Sequence, residues 1–313
     1  MSDDTMAAVA KPASAKPARR RHLAGQRELR PGSEDHKNAF CRMLLDTHDP
    51  YRPAAIDWPP LDPEARARLV ALPIWDIAVQ TEGKASIRVA SYADRVADPV
   101  LREAILLNGF EEGRHKQVLS KLVEAYSVRL APEPEYKPPR RPEWAFLVTG
   151  FSECIDSFFA FGLFALAKRS RFFPPELVDT FEPVMQEEAR HILFFINWVA
   201  WHRRNLSWWR RPWFCGEVAA VWLFLVYERI GLARDAGRGP HKQAQDNNFT
   251  LTGSKAVADI DISPAELLEL CLAENERRMA PYDPRLLRPQ FVPRLVRFVS
   301  RFLRPRKPVG APS

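Results

Sequence analysis

Apolar residues recur at alternating steps of three and four in four separate stretches of the chain, a spacing that puts them on one face of an α-helix. The first stripe is Trp75, Ala78, Glu82, Ala85, Val89, Tyr92. The second is Leu101, Ile105, Asn108, Glu112, His115, Leu119, Leu122, Tyr126. The third is Phe146, Thr149, Glu153, Asp156, Ala160, Leu163, and the fourth Leu177, Phe181, Val184, Glu188, His191, Phe195, Trp198, His202. Four such stripes predict an all-α protein built on a four-helix bundle, with each stripe turned inward. Prolines punctuate the pattern. Helices are expected over 74–97, onward to 128, over 143–170 and over 175–204, with Pro183 kinking the last one a turn before Glu188. The five prolines of 132–142 read as a long, stiff crossover across the end of the bundle.

Outside the bundle (73–205) the pattern is less regular. Residues 1–35 are dominated by Ala, Lys, Arg, Pro and Ser and read as a disordered basic tail, and 36–72 as a Pro-rich approach segment. Residues 206–313 form a C-terminal extension with further helices. Its first helix, 212–235, is apolar from Val218 to Tyr227 between Glu217 and Glu228. That run falls short of the roughly 20 residues that span a bilayer, which favours a helix packed on the bundle. A loop is expected over 237–262, then a helix opened by the capping box of Ser263 and Glu266 with Pro264 at its first position. From 294 to 304, Leu295, Val296, Val299, Phe302 and Leu303 share one face and Arg294, Arg297, Arg301 and Arg304 the other. This basic amphipathic helix either docks on its own domain with its arginines in solvent or lies on anionic lipid.

The stripes carry the candidate chemistry. The tetrads Glu112-Gly-Arg-His115 and Glu188-Ala-Arg-His191 are two versions of one motif, each preceded by another Glu, Glu111 or Glu187. A Glu and a His three residues apart sit one turn apart on a helix, so both reach the same ion. Glu82 and Glu153 occupy matching core positions on the other two helices. Four buried acids and two histidines in one layer are strongly destabilising unless cations hold them together. A pair of metal ions is the simplest solution, and carboxylate-rich ligation suits iron or manganese better than zinc. Glu111 with Arg114 and Glu187 with Arg190 are either supports for the ligands or exposed ion pairs at the rim. Asp156, one turn from Glu153, either accepts a hydrogen bond from a ligand histidine or forms an ordinary buried salt bridge. The aromatics Phe158, Phe159, Phe161, Phe164, Phe194, Phe195 and Trp198 are either plain core or the wall of a substrate channel.

Composition narrows the setting. The net charge of +7 gathers at the two ends, with four cations in the six residues from Lys16 to Arg21, but no nucleic-acid motif accompanies it. Hydrophobic content of 46% supports a sizeable core. Cys41, Cys154, Cys215 and Cys271 are scattered singletons, as expected of a reduced, cytoplasmic protein, with contact at the inner membrane face left open.

With its Glu, Glu-x-x-His, Glu, Glu-x-x-His order, the chain resembles the ferritin-like di-iron superfamily, which includes rubrerythrins, ferritins, demethoxyubiquinone hydroxylases, aldehyde-deformylating oxygenases and aminobenzoate N-oxygenases. The resemblance spans roughly residues 70–205, and the intervals of 30 (112 − 82), 41 (153 − 112) and 35 (188 − 153) fit helices of bundle length. It implies two irons per chain, with manganese as the other option. Glu112 and Glu188 would bridge both metals, Glu82 and Glu153 would be terminal, and His115 and His191 would bind one metal each. It also implies an O2-dependent oxidoreductase of oxygenase or hydroxylase type acting on an apolar or aromatic small molecule. A rubrerythrin- or ferritin-like protein that handles iron or peroxide without an organic substrate is the other class. The N-oxygenases carry a histidine four residues before the last Glu, where this chain has Val184. The paired Cys-x-x-Cys iron domain of rubrerythrins has no counterpart here, so electrons would come from a separate reductase or ferredoxin. A homodimer is compatible with the resemblance.

Overall fold

The computed structural model describes residues 28–235 and 262–303. Most of the expected basic tail, the expected loop up to residue 261, and everything from Arg304 on lie outside them. The described residues are helical, without strands. The helices are α1 (Glu34–Asp46), α2 (Pro63–Ala71), α3 (Trp75–Ala93), α4 (Pro99–Ala125), α5 (Pro142–Ser170), α6 (Pro175–Asp179), α7 (Glu182–Asn205), α8 (Arg210–Asp235), α9 (Pro264–Met279) and α10 (Phe291–Leu303).

Local sequence sets most of the boundaries. Asp98 caps α4 by accepting from the Leu101 amide at 2.9 Å, with Pro99 next in line. Asp62 does the same for α2 ahead of Pro63, and Ser33 for α1. The expected capping box of Ser263 and Glu266 opens α9. Pro183 acts differently from expectation. It stands in the first turn of α7, so the chain breaks between α6 and α7 instead of kinking one long helix. A proline has no amide to donate and is best accommodated at a helix start.

Four helices surround the core, α3 packing on α4 and α5, and α7 on α5 and α4. Tyr92 at the end of α3 stacks on Phe146 at the start of α5, with ring centroids 4.6 Å apart, beside Leu101 at the start of α4. At the opposite end Trp75, Leu122 and Leu177 form a separate cluster. Hence α4 and α5 run parallel, α3 and α7 opposite to them. The crossover between α4 and α5 therefore travels the length of the four helices, not across their end as expected. It is fastened along the way: Ala131 N donates to Asp76 at 2.7 Å, Lys116 pairs with Glu133 at 2.6 Å, and the Tyr136 ring lies where a side chain on Gly83 would stand.

The segment 36–72 holds more structure than its prolines imply. Helix α1 buries Phe40, Cys41, Met43 and Leu44 against α7 and α4. On the far side α8 and α9 pack on α5, α9 so closely that a Cβ on Gly162 would fall 2.2 Å from Cys271 Sγ. Among the described residues one helix, α5, is long and apolar enough to cross a membrane, and 61% of its most apolar window is buried.

Candidate metal centre

The register of the four stripes delivers Glu82 from α3, Glu112 and His115 from α4, Glu153 from α5, and Glu188 and His191 from α7 to one level of the core. Single ligand atoms of Glu82, Glu112, His115 and Glu188 lie within 4.8 Å of one another, and so do those of Glu112, Glu153 and His191. All six expected ligands are thus brought together, with Glu112 common to both groups. The rings of His115 and His191 are 5.6 Å apart.

Each histidine is held from behind by a glutamate of the other motif. His191 Nε2 lies 2.8 Å from Glu111 Oε2, and His115 Nε2 lies 2.9 Å from Glu187 Oε2. An ionised carboxylate only accepts, so Nε2 donates to it, and Nδ1 is the ring nitrogen turned toward the inner carboxylates. His191 Nδ1 is 2.8 Å from Glu112 Oε1, and His115 Nδ1 is 3.2 Å from Glu188 Oε1. Both Nδ1 atoms and Glu112 Oε1 are nonetheless buried without a hydrogen bond. A ring nitrogen and a carboxylate oxygen facing each other at that distance, shielded from water, are what a shared proton or a metal cation between them would satisfy. The residues present therefore fit a bound metal, and two divalent ions would balance the four carboxylates.

Glu111 and Glu187 are not rim residues: they are 0% and 2% exposed. Their main arginine partners are also exchanged between motifs. Arg190 donates to Glu111 at 2.8 Å and Arg114 donates to Glu187, whereas the pairs within each motif are 3.6 Å apart. The loop after α1 completes this outer layer. His48 Nδ1 lies 2.6 Å from Glu111 Oε1, Tyr51 donates to Glu187 at 3.3 Å, and Arg114 donates to the Asp49 carbonyl at 2.6 Å. His48 and Tyr51 sit in a stretch with no helical periodicity, and nothing in the sequence ties them to the site.

Asp156 takes the salt-bridge alternative. It accepts from Ser152 at 2.8 Å and from Arg229 of α8 at 2.7 Å. Arg229 reaches it from α8, although Asp156 also stands in the wall of the cavity beside Glu153. Support for Glu188 comes from Ser157, whose hydroxyl donates at 2.7 Å.

Electrostatics separates the inner acids from the outer ones. Burial, reinforced by the Glu112 charge, pushes Glu82 up to about 8. Burial and the charges of Glu112 and Glu188 hold Glu153 well above the carboxylate range. Burial opposes the charged form of His191, but the Glu112 charge and the hydrogen bond to Glu111 outweigh it and bring His191 to about 10. Burial likewise works against ionised Glu111, yet His191 and Arg190 keep its carboxyl well below the usual range. Glu188, despite its burial, is held below the usual range by His115, His191 and Ser157, so Glu82 and Glu153 are the inner carboxyls whose burial goes uncompensated.

Two cavities flank the ligands. One of about 60 Å³ has Glu82, Glu112, Glu153 and Glu188 in its wall, with Thr149, Ser152 and Ser157. The other, about 220 Å³, touches Glu82 and His115 but is otherwise walled by apolar side chains of α2 to α7, among them Leu69, Trp75, Leu163 and Phe181. Of the aromatic stripe only Phe164 lines it, while Phe158, Phe161, Phe194, Phe195 and Trp198 are buried core. In comparisons with known protein families, curated proteins and solved structures, nothing matches this chain.

Proposed function

We propose that this protein is a ferritin-like di-iron carboxylate oxidoreductase that uses dioxygen to oxidise a neutral, apolar small molecule. The observation that carries the reading is the pair of buried histidines whose Nδ1 atoms face the Glu112 and Glu188 carboxylates beside an apolar cavity. One long crossover joining two antiparallel pairs is also the connectivity of ferritin-like bundles. Iron suits the oxygen-rich donor set, as manganese would.

Glu82, Glu112 and His115 with Glu188 would hold one ion, and Glu112, Glu153 and His191 the other. Ferrous ions held there would supply electrons for the reduction of dioxygen and hence for substrate oxidation. The chain's own residues do the positioning. Glu111 and Glu187 fix the tautomer and tilt of the two imidazoles, and Ser157 fixes Glu188. The large cavity orients the substrate by shape alone, since its only ionisable wall groups are Glu82 and His115. A cavity of roughly 150 Å³ lined by aliphatic and aromatic side chains accepts benzene, so a substrate of that size or somewhat larger fits. This cavity favours an organic substrate over iron storage. A separate electron donor is required, the four cysteines being unpaired singletons.

Elemental mass spectrometry after anaerobic loading should find about two irons per chain, as expected of the di-iron bundles. Glu112→Ala should abolish metal retention while raising the Tm of the metal-free protein, because it removes a buried charge. Absence of bound iron in the loaded wild type would overturn the reading.

A further inference from the structure

Two helices of the C-terminal extension, α8 and α10, carry much more apolar surface than their docking uses. At about 100° per residue, α10 divides into three arcs. Val292, Val296 and Ser300 form the buried arc, held against Phe158 and its neighbours. Arg294, Arg297 and Arg301 make a second, exposed arc. Phe291, Leu295, Phe298 and Phe302 make the third, and these apolar residues are 51% to 74% exposed. The expectation of one apolar and one basic face is thus refined: the helix docks by a narrow stripe and shows a second apolar face to the outside.

Helix α8 continues that surface. It buries Phe214, Val221 and Leu225 but leaves Trp213 79%, Leu223 72% and Tyr227 78% exposed, with Trp208 just ahead of it 80% exposed. The Trp222 and Phe291 rings, 4.5 Å apart, join the two helices. Arg203, Arg204, Arg210 and Arg211 are exposed around the start of α8. Acidic groups are few: α10 has none, Glu217 on α8 is paired with Arg141 at 2.7 Å, and Glu276 of α9 pairs with Arg297 at 2.7 Å, which leaves Arg294 and Arg301 as the arc's arginines for lipid.

We propose that this face docks on an anionic phospholipid bilayer, with the phenylalanines and tryptophans at the level of the head groups and the arginines on lipid phosphates. Aromatic side chains favour that interface, and an amphipathic helix with a basic flank binds it in proportion to buried apolar area and lipid charge. Charge decides against a second copy as the occupant. A two-fold contact sets a patch against itself, and here that would bring arginine arcs together. The inference makes no use of the metal centre.

The test is sedimentation of the full chain with vesicles of phosphatidylcholine, with or without phosphatidylglycerol. An environment-sensitive dye on Cys215, exposed on α8 while the other three cysteines are buried, gives a second readout. Binding should require phosphatidylglycerol, fall with added salt, and shift the dye emission to the blue. Phe298→Ser with Phe302→Ser should weaken partitioning at least tenfold, and Arg294→Gln with Arg301→Gln roughly fivefold per arginine. Circular dichroism should be unchanged, since all four side chains are exposed. Failure of the wild type to bind anionic vesicles, or equal binding by the variants, overturns the proposal. So does a wild-type dimer that the phenylalanine variants split and that ignores vesicles, which would assign the face to a second copy.

Discussion

At the scale of single residues, the glutamates that precede each Glu-x-x-His pair matter almost as much as the ligands. Glu111→Gln keeps the shape but removes the carboxylate that receives the His191 proton and the Arg190 charge. It should weaken metal retention ten- to a hundredfold, measured by chelator competition, and Glu187→Gln should do the same. Asp156→Asn should leave retention unchanged, because its partners are Ser152 and Arg229. The gathering of all six candidate ligands was legible in the sequence, because a charged residue in an apolar stripe is conspicuous. The role of Glu111 and Glu187 was only half legible. Their position one residue off the stripe is compatible with rim or core, and only the approach of α4 to α7 turns each toward the opposite histidine. His48, Tyr51 and Ser157 reach the site through tertiary placement and left no periodic trace.

At the scale of elements, the joints between helices decide the geometry. Asp98 caps α4 and pairs with Lys37 of α1, which is 4% exposed. Asp98→Ala should therefore cost about 2 kcal/mol, combining a lost cap with a weakened ion pair, in chemical denaturation. Although burial opposes it, the Lys37 pair holds the Asp98 carboxyl below its ordinary 3.8. The sign follows: this contribution is fully present above about pH 4 and fades as pH falls through the lowered value. Gly150 of α5 faces Phe195 of α7, and an added Cβ would stand 2.3 Å from that ring. Gly150→Ala gains about 1 kcal/mol of helix propensity but forces apart a buried aromatic contact worth about 3 kcal/mol of strain. A net loss of stability is expected on thermal unfolding. The bundle helices were readable from their stripes to within a few residues. Helix α1 was not, since its short apolar run is followed by prolines that dominate the local composition. The path of the crossover was not either, because proline content gives stiffness but no direction.

At the scale of the whole molecule, the candidate centre borders an apolar cavity and a smaller, more polar one that share Glu82, Ala160, Val184 and Met185 in their walls. Leu163→Trp should fill the larger cavity and abolish saturable binding of an apolar dye, with metal content by mass spectrometry unchanged. A loss of metal would show that this wall belongs to the ligand framework. The exchange of straps between the two motifs has a further consequence, for how the protein is made. His115 waits for a carboxylate 72 positions later in the chain, and His191 takes its strap from 80 positions earlier. Neither half can therefore mature by itself: a nascent chain that has finished α3 and α4 still carries an unoriented imidazole. Under the proposed function, metal capture would be an event of the completed chain.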